Sequence, residues 1–293
     1  MISQNIKTLV ALKVEKDLAD LNEVEAPRIY APADETQFSS VGIIPNEEGE
    51  LVKVVNTSGT SYEIVEIGQS FRKVNKKKVK RIVAERIEAL KAQFIPTAEQ
   101  EDFFITKDSI KELEHQVSVE LLPETEVDEQ SHYVIHDTAT DFLFITNTNK
   151  KGSEDITFFL RSMLGTFPAE ELTDEDSFAS SFKKVIVSGQ TGNRLEFGDY
   201  ILMIDPLSKG KAMFSKELIT SDEVVGVLED KVVSSIGLGY DGVVNFTLNS
   251  DLSFKGVKFD KEIIDNEATL IADAVIVVGE LIGTVKDILE ITE

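Results

Sequence analysis

Tyr133 to Gly165 reads YVIHDTATDFLFITNTNKKGSEDITFFLRSMLG. Tyr133 to Ile135 and Phe142 to Thr146 alternate like paired strands, and Ser153 to Leu164 carries helical period with Ser153 as N-cap and Gly165 as C-cap. Strand, strand and helix in that order predict an α+β fold.

Outward from this centre the same signals recur. Upstream, Ile6 to Val14 reads as a strand leading to a short polar helix around Lys16 to Glu25. Leu51 to Val55 and Tyr62 to Ile67 read as a hairpin about Asn56-Thr-Ser-Gly59. From Asn75, apolar residues three and four apart (Val79, Ile82, Val83, Ile87, Leu90) predict a helix that ends before Pro96. A second helix is expected from Ser109 to about Leu121, closed by Pro123. Downstream, Glu170 to Asp176 reads as a solvated acidic linker. Strands near Tyr200 to Ile204 and Val232 to Leu238, a Ser221 to Leu228 helix, and a hairpin of Val243 to Leu248 with Leu252 to Phe259 follow. The last element, Ala272 to Leu289, is apolar enough for burial or for an interface helix.

With 293 residues, 42% of them apolar, the chain reaches the size at which one core divides. The expected subdomains are residues 1–95, carrying the basic helix, 96–170 in the middle, and 171–293 with the interface helix. Cysteine is absent, which excludes disulfide staples, thiolate nucleophiles and Cys-based zinc sites and fits a reducing cytoplasm. No stretch approaches the apolar length of a membrane span, so no membrane partner is expected.

The net charge of −23 opposes nucleic acid, yet its distribution is uneven. Residues 72–91 hold 9 basic and 2 acidic groups, while the rest of the chain sums to −30. On a helical projection Lys77, Lys80, Arg81 and Lys91 face away from the apolar arc. Arg72, Lys73 and Lys76 extend the charge into the loop before the helix, where free N–H groups also favour phosphate. Arg86 falls within the apolar arc, so it must reach the helix edge, pair, or serve a DNA-lined channel or subunit contact. These residues are the candidate nucleic-acid contacts.

Other chemical signals are weak. His132 and His136 share strand parity near Asp137 and Asp141, a spacing that suits core histidines better than metal ligands. Ser188 to Arg194 lacks P-loop spacing, and Gly237-Leu-Gly-Tyr-Asp-Gly242 precedes a strand where a dinucleotide fingerprint needs a helix. Acidic pairs such as Asp174 and Asp176 are inevitable among 53 acidic residues. No catalytic residue, cofactor, metal or small-molecule substrate is expected.

Several motifs together resemble the RdgC recombination-associated family from end to end. Val41-Gly42-Ile43-Ile44-Pro45 resembles its G-W-V-P-P region, Lys76 to Lys91 its basic helix, and Leu121-Leu122-Pro123 its L-L-P. Phe159-Leu-Arg-Ser-Met-Leu-Gly-Thr-Phe-Pro168 is similar to its L-L-R-K-S-L-G-S-L-P, the most specific match. Leu252 to Ile263 and Ala274 to Leu289 resemble its last hairpin segment and its terminal helix.

The resemblance implies an elongated crescent whose homodimer closes into a ring around duplex DNA with little sequence preference, restraining a RecA-type recombinase on the nucleoid. It also aligns Phe214 to Leu218 with a DNA-contacting loop, which implies roles for Lys216 and for Lys209 and Lys211 just before it. Two departures stand out: Glu124-Thr-Glu-Val-Asp-Glu129 replaces the family's R-A-F-S-R, and an acidic stretch follows the basic helix. Dimerisation is expected through Val275, Val278, Leu281, Ile282 and Val285. The leading expectation is a non-catalytic, sequence-tolerant DNA ring or clamp acting in recombination or replication. The alternative is an acidic protein that engages a DNA-binding partner; a third is a metal-dependent exonuclease.

Overall fold

Strand β1, Thr8–Val14, is buried on both faces, because Leu9 and Ala11 on one side and Val10, Leu12 and Val14 on the other are all covered. Such a continuous apolar run marks a strand in the middle of a sheet. A computed structural model describes residues 6–57, 59–95, 102–191, 194–260 and 270–292. Within it β1 lies antiparallel between β6, Phe142–Thr146, and β12, Ser253–Phe259.

The described contacts divide the chain into two interleaved units. Unit 1 comprises residues 1–27, 43–67 and 131–293; unit 2 comprises 28–42 and 68–130. Three strands, β2 (Ser39–Ile44), β4 (Ser61–Arg72) and β5 (Val127–Asp137), contribute residues to both.

In unit 1 the strand order is β4, β5, β6, β1, β12, β11 (Val244–Asn249), β10 (Val232–Tyr240), β8 (Leu195–Ile204) and β9 (Lys211–Ser215). Strand β3, Lys53–Asn56, pairs with β4, and β7, Ala169–Glu171, with β1. The α+β expectation is met. Both hairpins fall where the turn residues place them. Asp241 and Gly242 both adopt positive φ, 52° and 69°, in the tight turn between β10 and β11, which disposes of the dinucleotide reading.

Helices pack within each unit. The chain forms α1 (Lys76–Gln93) and α2 (Lys107–Glu120) in unit 2, and α3 (Lys150–Leu164), α4 (Glu175–Ser188), α5 (Asp222–Val227) and α6 (Leu270–Thr292) in unit 1. Helix α4 packs on β10 and on α6, and its Phe178, Phe182 and Ile186 join the same core as Phe144, Phe254 and Tyr240. Two local expectations are corrected. Helix α3 starts earlier than Ser153, because the Asn149 side chain accepts the Gly152 N–H at 2.9 Å; Gly165, at φ 76°, ends it as expected. The supposed linker of residues 170–176 instead pairs through β7 with Leu12 to Val14. It then begins α4, whose N-cap Asp174 accepts from Asp176 and Ser177 at 3.0 and 2.8 Å.

The expected interface helix is also placed differently. Val278, Leu281, Ile282 and Val285 are buried in the core of unit 1, while the Val275 side chain lies outside the described residues. The apolarity of α6 is consumed within the chain. Although 23 residues long, α6 is not apolar enough to cross a membrane, nor is any other helix among the described residues.

Candidate nucleic-acid interface

The basic helix α1 begins at Asn75, whose side chain accepts the N–H groups of Lys77 and Lys78 at 3.0 and 3.2 Å. That cap takes up N–H groups that would otherwise be free for phosphate. The helix packs against α2 through a small core of Val79, Val83, Val117 and Leu121, flanked by Val74, Ile82, Ile87, Ile110 and Leu113. The hydrophobic period of the sequence therefore fixes which face of α1 meets protein, and the opposite face meets solvent.

The cations are put to different uses. Lys76, Lys77, Lys80 and Lys91 are exposed and make no ion pair among the described residues. Arg81 is exposed too, with Glu85 one turn on at 3.8 Å. Lys73 pairs with Asp128 at 3.0 Å and Lys78 with Glu124 at 2.6 Å. The acidic stretch of residues 124–129 thus neutralises two cations at the foot of α1.

Arg72 and Arg86 are committed elsewhere. The Arg72 guanidinium donates to the carbonyls of Ala33, Leu122 and Thr125, knitting three segments of unit 2 together. Arg86 makes a two-pronged pair with Glu120 of α2, which raises the guanidinium above its ordinary value and holds the carboxyl below the usual range. That pair resolves the cation expected within the apolar arc: it binds α1 to α2. Neither arginine is free for phosphate while these bonds stand.

The second candidate cluster lies in unit 1, on the hairpin of β8 and β9. Lys209, Lys211 and Lys216 are exposed, and Lys209 and Lys216 take positive φ of 59° and 62°. Asp205 shapes the turn by accepting from Leu207 and Ser208, bonds that hold its carboxyl down to about 2. Strand β9, missed in the sequence, ends the strand order. Its Lys211, Met213 and Ser215 are exposed in alternation.

His132 and His136 sit inside the protein. His132 Nδ1 lies 2.9 Å from the Thr146 carbonyl, and burial pushes its imidazole below the ordinary value. His136 Nδ1 lies 2.9 Å from a buried Glu63 carboxylate oxygen that also accepts the Leu18 N–H at 2.6 Å. Glu63 was not singled out from sequence.

Gly42, within the Val-Gly-Ile-Ile-Pro motif, has a structural cause. A Cβ there would strike the Tyr30 backbone within unit 2.

Comparison with known proteins identifies the family of the chain. A family model described as "Putative exonuclease, RdgC" matches residues 6–292. A recombination-associated protein RdgC of Tolumonas auensis is 21% identical over 285 residues, 94% of this chain and 92% of the relative. One of Salmonella paratyphi B is 22% identical over 295 aligned positions, 97% and 92%. One of an Enterobacter species is 24% identical over 165 residues, 53% of this chain and 54% of that relative. With nearly its whole length matched, the chain belongs to the RdgC family.

Proposed function

We propose that this chain is a non-catalytic, sequence-tolerant binder of duplex DNA that acts in recombination. One observation carries the reading: the solvent face of α1 presents Lys76, Lys77, Lys80 and Lys91 without carboxylate partners among the described residues, in a chain of net charge −23. Lysines left unpaired against such a background are suited to releasing counterions from a phosphate backbone, which is sequence-independent. The relatives' names as recombination-associated proteins supply the recombination setting.

In this reading two chains enclose the duplex as a ring and restrain a RecA-type recombinase on the nucleoid in the cytoplasm. Enclosure retains the protein on DNA with few contacts, which compensates for the cations spent internally. Association of two chains would have to use residues other than Val278, Leu281, Ile282 and Val285, because exposing those would open the core of unit 1. The hairpin lysines Lys209, Lys211 and Lys216 are a second set of phosphate contacts in this proposal.

A second reading, an acidic protein that engages a DNA-binding partner, draws on a different observation. Lys73, Lys78 and Arg86 are already neutralised by Asp128, Glu124 and Glu120, so part of the basic cluster serves the fold. Anisotropy titrations of unrelated duplexes across a salt series separate the two. Linear loss of affinity with log salt, alike for each sequence, supports DNA binding; absence of binding at low salt supports the partner reading.

A further inference from the structure

We propose that Asp17, Glu63 and His136 form a binding site for a divalent transition-metal cation in unit 1, separate from the cationic helix. Asp17 follows β1, Glu63 lies on β4 and His136 on β5, so three distant stretches of sequence converge. One potential ligand atom from each lies within 4.8 Å of the others. His136 Nδ1 stands 2.9 Å from Glu63 Oε2 and 3.9 Å from Asp17 Oδ1. Ligands bound tetrahedrally at about 2.0–2.1 Å lie roughly 3.3 Å from one another, so the two distances bracket the required spacing.

Glu63 and His136 are both buried, with His136 only 1% exposed. A buried carboxylate requires compensation, and the Leu18 N–H that Glu63 accepts at 2.6 Å is neutral. With a neutral imidazole the cluster carries two negative charges, which one divalent cation cancels. His136 Nε2 has no partner among the described residues, so no bond on that side dictates where the imidazole proton resides. Nδ1 can then direct a proton at Glu63 or a lone pair at a metal. The Asp17 side chain is 62% exposed, which gives the cation an entry path and room for water. One imidazole nitrogen with two carboxylates favours zinc, manganese or cobalt over magnesium or calcium.

Titrating the chelator-treated full chain with Co2+ tests the site through the metal's visible absorption. The expected result is saturable binding of one equivalent, weakened roughly 100-fold or more in Asp17→Asn, as loss of a ligand should exceed the 10–100-fold cost of losing a ligand's supporting partner. Asp20→Asn, which removes a nearby exposed carboxylate, should bind as the parent does. Absence of saturable binding, or equal isotherms for Asp17→Asn and the parent, overturns the proposal. Crystals soaked in Zn2+ and measured at its absorption edge read the same point without any substitution. An anomalous peak within bonding distance of His136 Nδ1 is expected, and a featureless map there overturns the site.

Discussion

Replacing Val117 by alanine should loosen the seating of the cationic helix, and Val119→Ala should not. Both valines lie on α2 two residues apart, yet Val117 is fully buried against Val79, Val83 and Leu121 while Val119 is 41% exposed. Removing two buried methyl groups at about 0.8 kcal/mol each forfeits about 1.6 kcal/mol of transfer energy. A cavity of about 50 Å³ at about 24 cal/mol per Å³ adds about 1.2 kcal/mol if the walls do not collapse, which sets an upper value of about 2.8 kcal/mol. Amide hydrogen exchange of α1 and α2 in the two variants reads the loss within unit 2 directly, and urea unfolding gives its size. The expected outcome is a loss of about 1.6–2.8 kcal/mol in Val117→Ala and less than about 0.5 kcal/mol in Val119→Ala. Equal effects, or a loss below about 0.5 kcal/mol in Val117→Ala, would refute the assignment of that small core as the support of the basic face.

Three other outcomes are expected. The double variant Glu124→Gln with Asp128→Asn frees Lys78 and Lys73, so duplex affinity should rise and the salt slope steepen by up to about 0.9 for each released lysine; unchanged slopes would mean that neither lysine reaches phosphate. Gly283→Ala would drive a Cβ into the buried Tyr240 hydroxyl, costing about 1–3 kcal/mol in denaturant unfolding, with part recovered by adding Tyr240→Phe; additivity of the two changes would contradict the contact. Purified protein with Mg2+ or Mn2+ should leave duplex and single-stranded DNA intact on gels; degradation abolished by one aspartate substitution would make the chain a nuclease.

Sequence periodicity reached far into this fold, and its failures share a physical cause. The face of α1, its cap at Asn75 and the β10–β11 turn are local properties, set by residues within a few positions of one another. Helix α4 was hidden by acidity that reads as solvation. Yet Asp174 as cap, Glu175 and Asp176 in the first turn, and Phe178, Phe182 and Ile186 at helical spacing were the available signal. The interleaved units left no such trace, because their boundaries fall inside the continuous strands β4 and β5. Long-range pairing was likewise invisible: Arg86 meets Glu120 34 positions away, and Arg72 spends its guanidinium on carbonyls up to 53 positions away. The convergence of Asp17, Glu63 and His136 belongs to the same class. In α6, apolarity could signal either core or interface, and the core took Val278, Leu281, Ile282 and Val285.

The central claim, that the solvent face of α1 supplies phosphate contacts, is tested most directly by the salt dependence of duplex binding in Lys76→Gln, Lys77→Gln, Lys80→Gln combined. These side chains are exposed and outside the small core, so the fold should persist. If all three contact phosphate, the slope of log affinity against log salt becomes shallower by about 2.7, alike for unrelated sequences. The matched control removes Lys7, Lys255 and Lys258, exposed lysines near β1 and on β12, and should leave the slope close to that of the parent. Equal slopes in the two triple variants would show that total charge governs binding and would contradict a localised interface on α1.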